Sequence, residues 1–125
     1  MHKLWLSLLA LFLFAFVPAQ AATMSEEGKI AALIESVRDT PEGTQFIRNG
    51  TAYSVADAVD HLNKKYSAAK SKIKTAEDFI KYVASKSSIS GEDYMIRYPD
   101  GKTTTAATFF IEKLRRLNGD NASAM

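Results

Sequence analysis

Cysteine is absent from the 125-residue chain, which excludes a disulfide framework, a thiol nucleophile and a thiolate metal site. Histidine is nearly absent. Of the 2 in the sequence, His2 lies in the N-terminal run and His61 is the other. A catalytic zinc needs several protein ligands, and only distant carboxylates could complete a set begun by Asp57 and His61. No spacing singles one out, so neither a metal ligand set nor a cofactor is read here. An excess of one charge is lacking too: the formal charge of +2 falls by one if Lys3 is removed with the N-terminal run. Such a balance gives no overall reason to bind nucleic acid or to coat an anionic membrane.

Long apolar runs are confined to the start. MHKLWLSLLALFLFAFVPAQAA opens with His2 and Lys3, continues apolar from Leu4 to Val17, and offers Ala19-Gln20-Ala21 as a small-x-small site. That pattern predicts a secretory signal peptide over residues 1–21, cleaved after Ala21. The apolar stretch falls short of the roughly 20 residues a bilayer-spanning helix needs. No membrane span is expected after cleavage, and an exported single domain is expected over residues 22–125.

What is present is clear punctuation. Ile30, Leu33, Ile34 and Val37 recur at helical spacing behind Ser25, predicting a helix over about 26–38. Thr40-Pro41-Glu42-Gly43 ends it. Gln45 to Arg48 and Thr51 to Tyr53 flank Asn49-Gly50, a pair suited to a two-residue hairpin because both turn positions need positive φ. Ser54, with Asp57 following, resembles a capping box. It opens a long helix whose stripe is Val55, Ala58, Val59, Leu62, Tyr66, Ala69 and Ile73. Thr75 caps a third helix with Ala76, Phe79, Ile80 and Val83 inward. Residues 85–92 then break the pattern. A second hairpin runs from Tyr94 to Tyr98 and from Lys102 to Thr104 about Pro99-Asp100-Gly101. Thr105 caps a last helix bearing Ala106, Phe110, Leu114 and Leu117, and the ordered core should end near residue 117, before a frayed tail.

The order is helix-hairpin-helix, α-β-β-α, twice over. Ile47-Arg48 and Ile96-Arg97 each enter a glycine-containing turn, and a capping hydroxyl follows each turn glycine at the same spacing. The fold class is therefore α+β, mostly helical, with short antiparallel strands. An isolated hairpin is marginal in water, so the four strands are expected to pool in one sheet. The alternative places the hairpins apart on a helical body.

FIRNGTAYSVADAVDHLNKKY, KSKIKTAEDFIKYVASKSSISGEDYMIR and the DGK turn closely resemble the secreted bacterial domain of unknown function 5329. The resemblance covers roughly residues 27–117, with IRNG, HL-x-x-KY, KTAEDFI and ASKSS-x-SG specific in combination. It implies a periplasmic or exported protein of a Gram-negative bacterium, and no activity or catalytic residue.

For catalysis, His61 on the flank of the second helix is the candidate base, with Asp57 at i−4 to orient it and Lys65 at i+4. The plainer reading is a boundary histidine in a helix charge ladder. Ser85-Lys86-Ser87-Ser88 gathers hydroxyls and an amine, but no G-x-S-x-G or S-x-x-K pattern involves these serines. Either they connect helix to hairpin, or their amides and hydroxyls receive an anionic group with Lys86 assisting. Lys64, Lys65, Lys70, Lys72 and Lys74 scatter over the helix surface, against a nucleic-acid patch. An envelope lipid or polysaccharide site on these lysines is the third reading. Tyr53, Tyr66, Tyr82, Tyr94 and Tyr98 offer an aromatic surface only if enough rings are exposed. The expectation is a small exported interaction or ligand-binding module, with an envelope protein among its possible partners. Its site would draw on Arg48, Asn49, His61, Lys65, Ser85, Lys86, Ser87 and Ser88, and a hydrolase using His61 is the alternative.

Overall fold

The computed structural model describes residues 24–119. The expected signal segment and cleavage site, and the tail beyond Gly119, lie outside the described residues. Helix α1 (Glu26–Ser36) is capped by Ser25, whose Oγ accepts the Gly28 N–H, and tightens into a 3₁₀ turn at Val37–Asp39. Strands β1 (Gln45–Arg48) and β2 (Thr51–Tyr53) form the first hairpin. Its turn takes positive φ at both Asn49 (52°) and Gly50 (78°), as Asn-Gly requires. Ser54 then caps α2 (Val55–Ala69) by accepting the Asp57 N–H at 3.2 Å.

Two differences from the sequence pattern follow. The second helix stops at Ala69, and a 3₁₀ turn at Lys70–Lys72 delivers Ile73 to the core in extended conformation. Burial of the stripe outlasts the helix itself. The third helix is short as an α-helix, α3 (Ala76–Phe79), and continues as a π-helical turn over Ile80–Ala84. Ser85 Oγ donates to the Ile80 carbonyl and so closes that wider turn. The reciprocal capping box occurs at the start of α3, where the Thr75 hydroxyl and the Asp78 carboxylate each accept the other's amide at 3.1 Å.

Strands β3 (Met95–Arg97) and β4 (Thr103–Thr105) make the second hairpin, and Thr105 also caps α4 (Ala106–Leu117). All four strands share one antiparallel sheet in the order β2-β1-β3-β4. The hairpins therefore join through their first strands. Phe46 faces Ile96 across that central seam, and both side chains are buried against the helices.

The α-β-β-α order repeats, but the Ile-Arg pairs do not share a face. Side chains alternate along a strand, so Ile47, next to the inward Phe46, lies on the side opposite to Ile96. Arg48 consequently projects on the helix side, while Arg97 lies outside and donates to Gln45 Oε1 at 2.9 Å.

The helices meet over an aromatic spine. Phe79 stands edge-on to Tyr66 (5.7 Å between ring centroids) and to Phe110 (6.1 Å), and Phe109 packs beside Phe110 at 5.0 Å. Edge-to-face pairs of this kind add to the burial gain itself. At the far end, Glu26 Oε1 accepts the Ala76 N–H at 2.8 Å and ties the first turn of α1 to that of α3. Of the last helix's expected stripe, Ala106, Phe110 and Leu114 are buried together with Phe109, while Leu117 is only partly covered.

Candidate functional site

Tyr94, the residue before β3, is fixed by its own backbone. Its N–H donates to the Ser85 carbonyl and its carbonyl accepts the Ala106 N–H, each at 2.9 Å. The ring is thereby held between α2 and the sheet and is 7 % exposed. His61 and Lys65, one helical turn apart on α2, both reach its hydroxyl: His61 Nε2 at 3.2 Å and Lys65 Nζ at 2.9 Å. Lys65 also donates to the Lys86 carbonyl at 2.8 Å and lies 4.8 Å from the Tyr94 ring centroid. The fourth member comes from the first hairpin. Arg48 donates to the Tyr53 hydroxyl at 3.0 Å with its guanidinium carbon 4.9 Å from that ring's centroid.

The proton positions follow from donor chemistry. An ammonium can only donate, so Lys65 occupies a lone pair of the Tyr94 oxygen and leaves the phenol proton for His61 Nε2. His61 is suited to accept it, because burial first, and then the charges of Arg48 and Lys65, depress its pKa against the opposing pull of Asp60. It is neutral at neutral pH. Burial, with Arg48 adding to it, also lowers Lys65, and burial raises Tyr94. Arg48 therefore acts electrostatically on every other member of the cluster.

Two adjoining cavities open at these residues. The inner one, of about 310 Å³, has an apolar floor of Phe46, Ala58, Leu62, Ala84, Ala106 and Phe110. The outer one, of about 300 Å³, is bounded by Lys65 and by Ser87, Ser88 and Ile89. Arg48, His61, Lys64 and Tyr94 line both. Asp57 and Asp60 also stand at the inner cavity, but Asp60 is paired with Lys64 at 3.1 Å. Among the described residues, neither Arg48 nor Lys65 has a carboxylate within 4.0 Å.

Of the residues singled out in the sequence, Arg48, His61 and Lys65 come together. Asn49 and Ser87 stand beside them as fasteners. The Asn49 amide donates to Ser87 Oγ at 3.2 Å and accepts from the Ser90 hydroxyl, pinning the turn over residues 87–91 to the first hairpin. Ser87 Oγ also accepts the N–H groups of Ile89 and Ser90. Ser88 borders the outer cavity. Lys86 contributes its carbonyl, with an exposed side chain, and Ser85 faces a separate groove beside Ile111 and Leu114. Asp57 is exposed, and the side-chain hydrogen-bond partner of His61 is Tyr94 rather than Asp57.

Tyr94 is the member that sequence reasoning did not assign to the site. Its only signal was a tyrosine at a strand entrance, among the 5 in the chain. The tyrosines do not form one surface: Tyr82 is 55 % exposed, Tyr66 packs on Phe79, and Tyr94 is buried. The lysines do not form one patch either, since Lys64 pairs with Asp60, Lys70 with Glu27, and Lys65 turns inward to Tyr94. No helix of the described residues is long and apolar enough to cross a membrane.

Fold and site together define a small α+β domain with an apolar chamber behind a cationic, phenol-bearing mouth. The chain belongs to a family of unknown function, DUF5329, whose model matches residues 24–118. It is also 36 % identical over 84 residues to a Salmonella typhimurium (strain LT2) protein carrying the name "Uncharacterized protein YfeK", spanning 66 % of this chain and 68 % of that one. No solved structure matches the chain.

Proposed function

We propose that the protein is a ligand-binding module that takes a small anion at the mouth formed by Arg48, His61, Lys65 and Tyr94. One observation carries this reading: Arg48 and Lys65 converge on a half-buried site without a carboxylate to neutralise them. Partly buried cations are ordinarily paired. Here the known hydrogen bonds leave donor capacity on both side chains, because Arg48 donates to Tyr53 and Lys65 to Tyr94 and the Lys86 carbonyl. A hydrogen bond to an ionised group contributes about 1.5–3 kcal/mol.

Binding is favoured over hydrolysis by what surrounds His61. Its Nε2 faces a phenol held by an ammonium. The nearby serine oxygens are engaged elsewhere, Ser87 as an acceptor of amide protons and Ser85 as a donor to the π turn. A nucleophile needs its base within hydrogen-bond reach, and no serine hydroxyl among the described residues is bonded to His61.

Calorimetric titration with inorganic phosphate, acetate and octanoate tests the reading. At least one should bind saturably, and Arg48→Gln or Lys65→Gln should weaken it tenfold or more, with the protein still folded at the titration temperature. Failure of all three to bind, or binding indifferent to both substitutions, rejects it.

The place of action proposed is the periplasm. Support comes from the N-terminal order of positive residues, apolar run and Ala19-Gln20-Ala21. The intact mass of protein released by osmotic shock should correspond to a chain beginning at Ala22. A full-length mass, or retention in the cytoplasm, contradicts it.

A further inference from the structure

We infer that the anion is the head of a single-chain amphiphile, a carboxylic acid whose apolar tail occupies the inner chamber. This rests on the anion site proposed above and concerns what lies behind it. A site for a bare inorganic anion needs only donors at its surface. Here three residues of the cationic mouth, Arg48, His61 and Tyr94, also line a cavity of about 310 Å³ whose floor is Phe46, Ala58, Leu62, Ala84, Ala106 and Phe110.

That floor offers an apolar body nothing to hydrogen-bond. Beyond the mouth, the polar lining of the cavity is Tyr53 (bonded to Arg48), the Asp60–Lys64 pair and the exposed Asp57. Polar ligands are selected by unpaired polar groups that converge on their body, and apolar ones by the absence of such groups. The volume stands at the small end of the range for ligand pockets, roughly 300–1,000 Å³. It suits one short chain or one ring and is too small for a two-chain lipid.

The mouth fixes orientation. A carboxylate placed at Arg48 and Lys65 meets the charge it needs. The head stays at the entrance and the tail points inward, past Tyr94 and His61. Ile89, 88 % exposed at the tip of the turn that Asn49 pins, borders the outer cavity and adds apolar surface at the entrance.

The test is a chain-length series of acetate, butanoate, hexanoate and octanoate on the purified protein, with 1-octanol and phosphatidylglycerol vesicles as separate arms. Affinity should rise about fourfold per methylene until the chamber is full, from the transfer free energy of a buried CH₂ group. Octanol should bind at least tenfold more weakly than octanoate. Ala58→Leu, which intrudes on the chamber, should lower octanoate affinity about tenfold and acetate affinity by much less. Should that variant fail to fold, the series on the unsubstituted protein still decides. Equal affinity along the series with continued dependence on Arg48 overturns the amphiphile and leaves the anion site standing. Binding to the vesicles alone overturns the single-chain assignment; no binding by any of these probes removes the amphiphile, and failure of inorganic phosphate as well removes the anion site.

Discussion

Lys65 holds Tyr94 in two ways at once, with its ammonium 2.9 Å from the phenol oxygen and 4.8 Å from the ring centroid. The contact joins α2 to the residue that opens β3, across 29 positions of sequence. It thereby fixes the direction in which the phenol donates.

Tyr94→Phe keeps the ring and removes the oxygen that Lys65 and His61 share. Both partners are only half-buried and can find water, so the loss should be about 1 kcal/mol, read as a shift in the denaturation midpoint. A loss above about 3 kcal/mol would show that the hydroxyl supports more of the core than this geometry allows.

The depressed pKa of His61 makes stability depend on pH in a definite direction. The folded state holds the imidazole neutral, whereas the unfolded chain protonates it below about 6.5. Unfolding therefore binds a proton in this window, and stability falls as pH drops from about 6.5 toward the lower folded value. Denaturation curves collected between about pH 5 and 8 should show this decline, and His61→Gln should flatten it. An unchanged slope in the variant would place the titration elsewhere.

Glu26 gives an analogous effect at lower pH. The Ala76 amide it accepts is the largest cause of its depressed pKa, opposed by burial and assisted by Lys29. Its contribution is present above the ordinary carboxylate range and is lost as pH falls through the depressed value. Glu26→Gln retains an acceptor oxygen without the charge, and should show a smaller loss of stability on acidification. The same acid sensitivity in both proteins would contradict the assignment.

Much of the fold was legible because local signals agreed with the tertiary need. Asn49-Gly50 demanded a tight turn, Thr75 offered a helix cap, and two hairpins marginal on their own were best stabilised in one shared sheet. The π turn after Phe79 was not legible, since Ile80, Val83 and Ala84 fit an α-helical stripe equally well. The site was half legible. His61 and Lys65 share a helix face by spacing alone, but the choice of Tyr94 over Asp57 as partner depends on a backbone clamp between Ser85 and Ala106. Faces on β1 and β3 also depend on register, which is why Arg48 and Arg97 look alike in sequence and diverge in space.

Asn49 combines a backbone and a side-chain role that one substitution separates. Glycine accepts its φ of 52° without penalty but cannot bridge Ser87 and Ser90. Asn49→Gly should leave the hairpin intact while amide exchange at Ile89, Ser90 and Gly91 accelerates. Unaltered exchange there would show that the turn over residues 87–91 holds itself.

The most direct measurement is a nuclear magnetic resonance titration of the protein with octanoate, following backbone amides and the His61 ring. The expected result is a saturable set of shifts centred on Arg48, His61, Lys65, Ser88 and Tyr94, with inner-chamber residues Ala58 and Phe110 moving in step. Saturable shifts centred on the Ile111 and Leu114 groove, or no saturable shifts at any residue, would contradict the site.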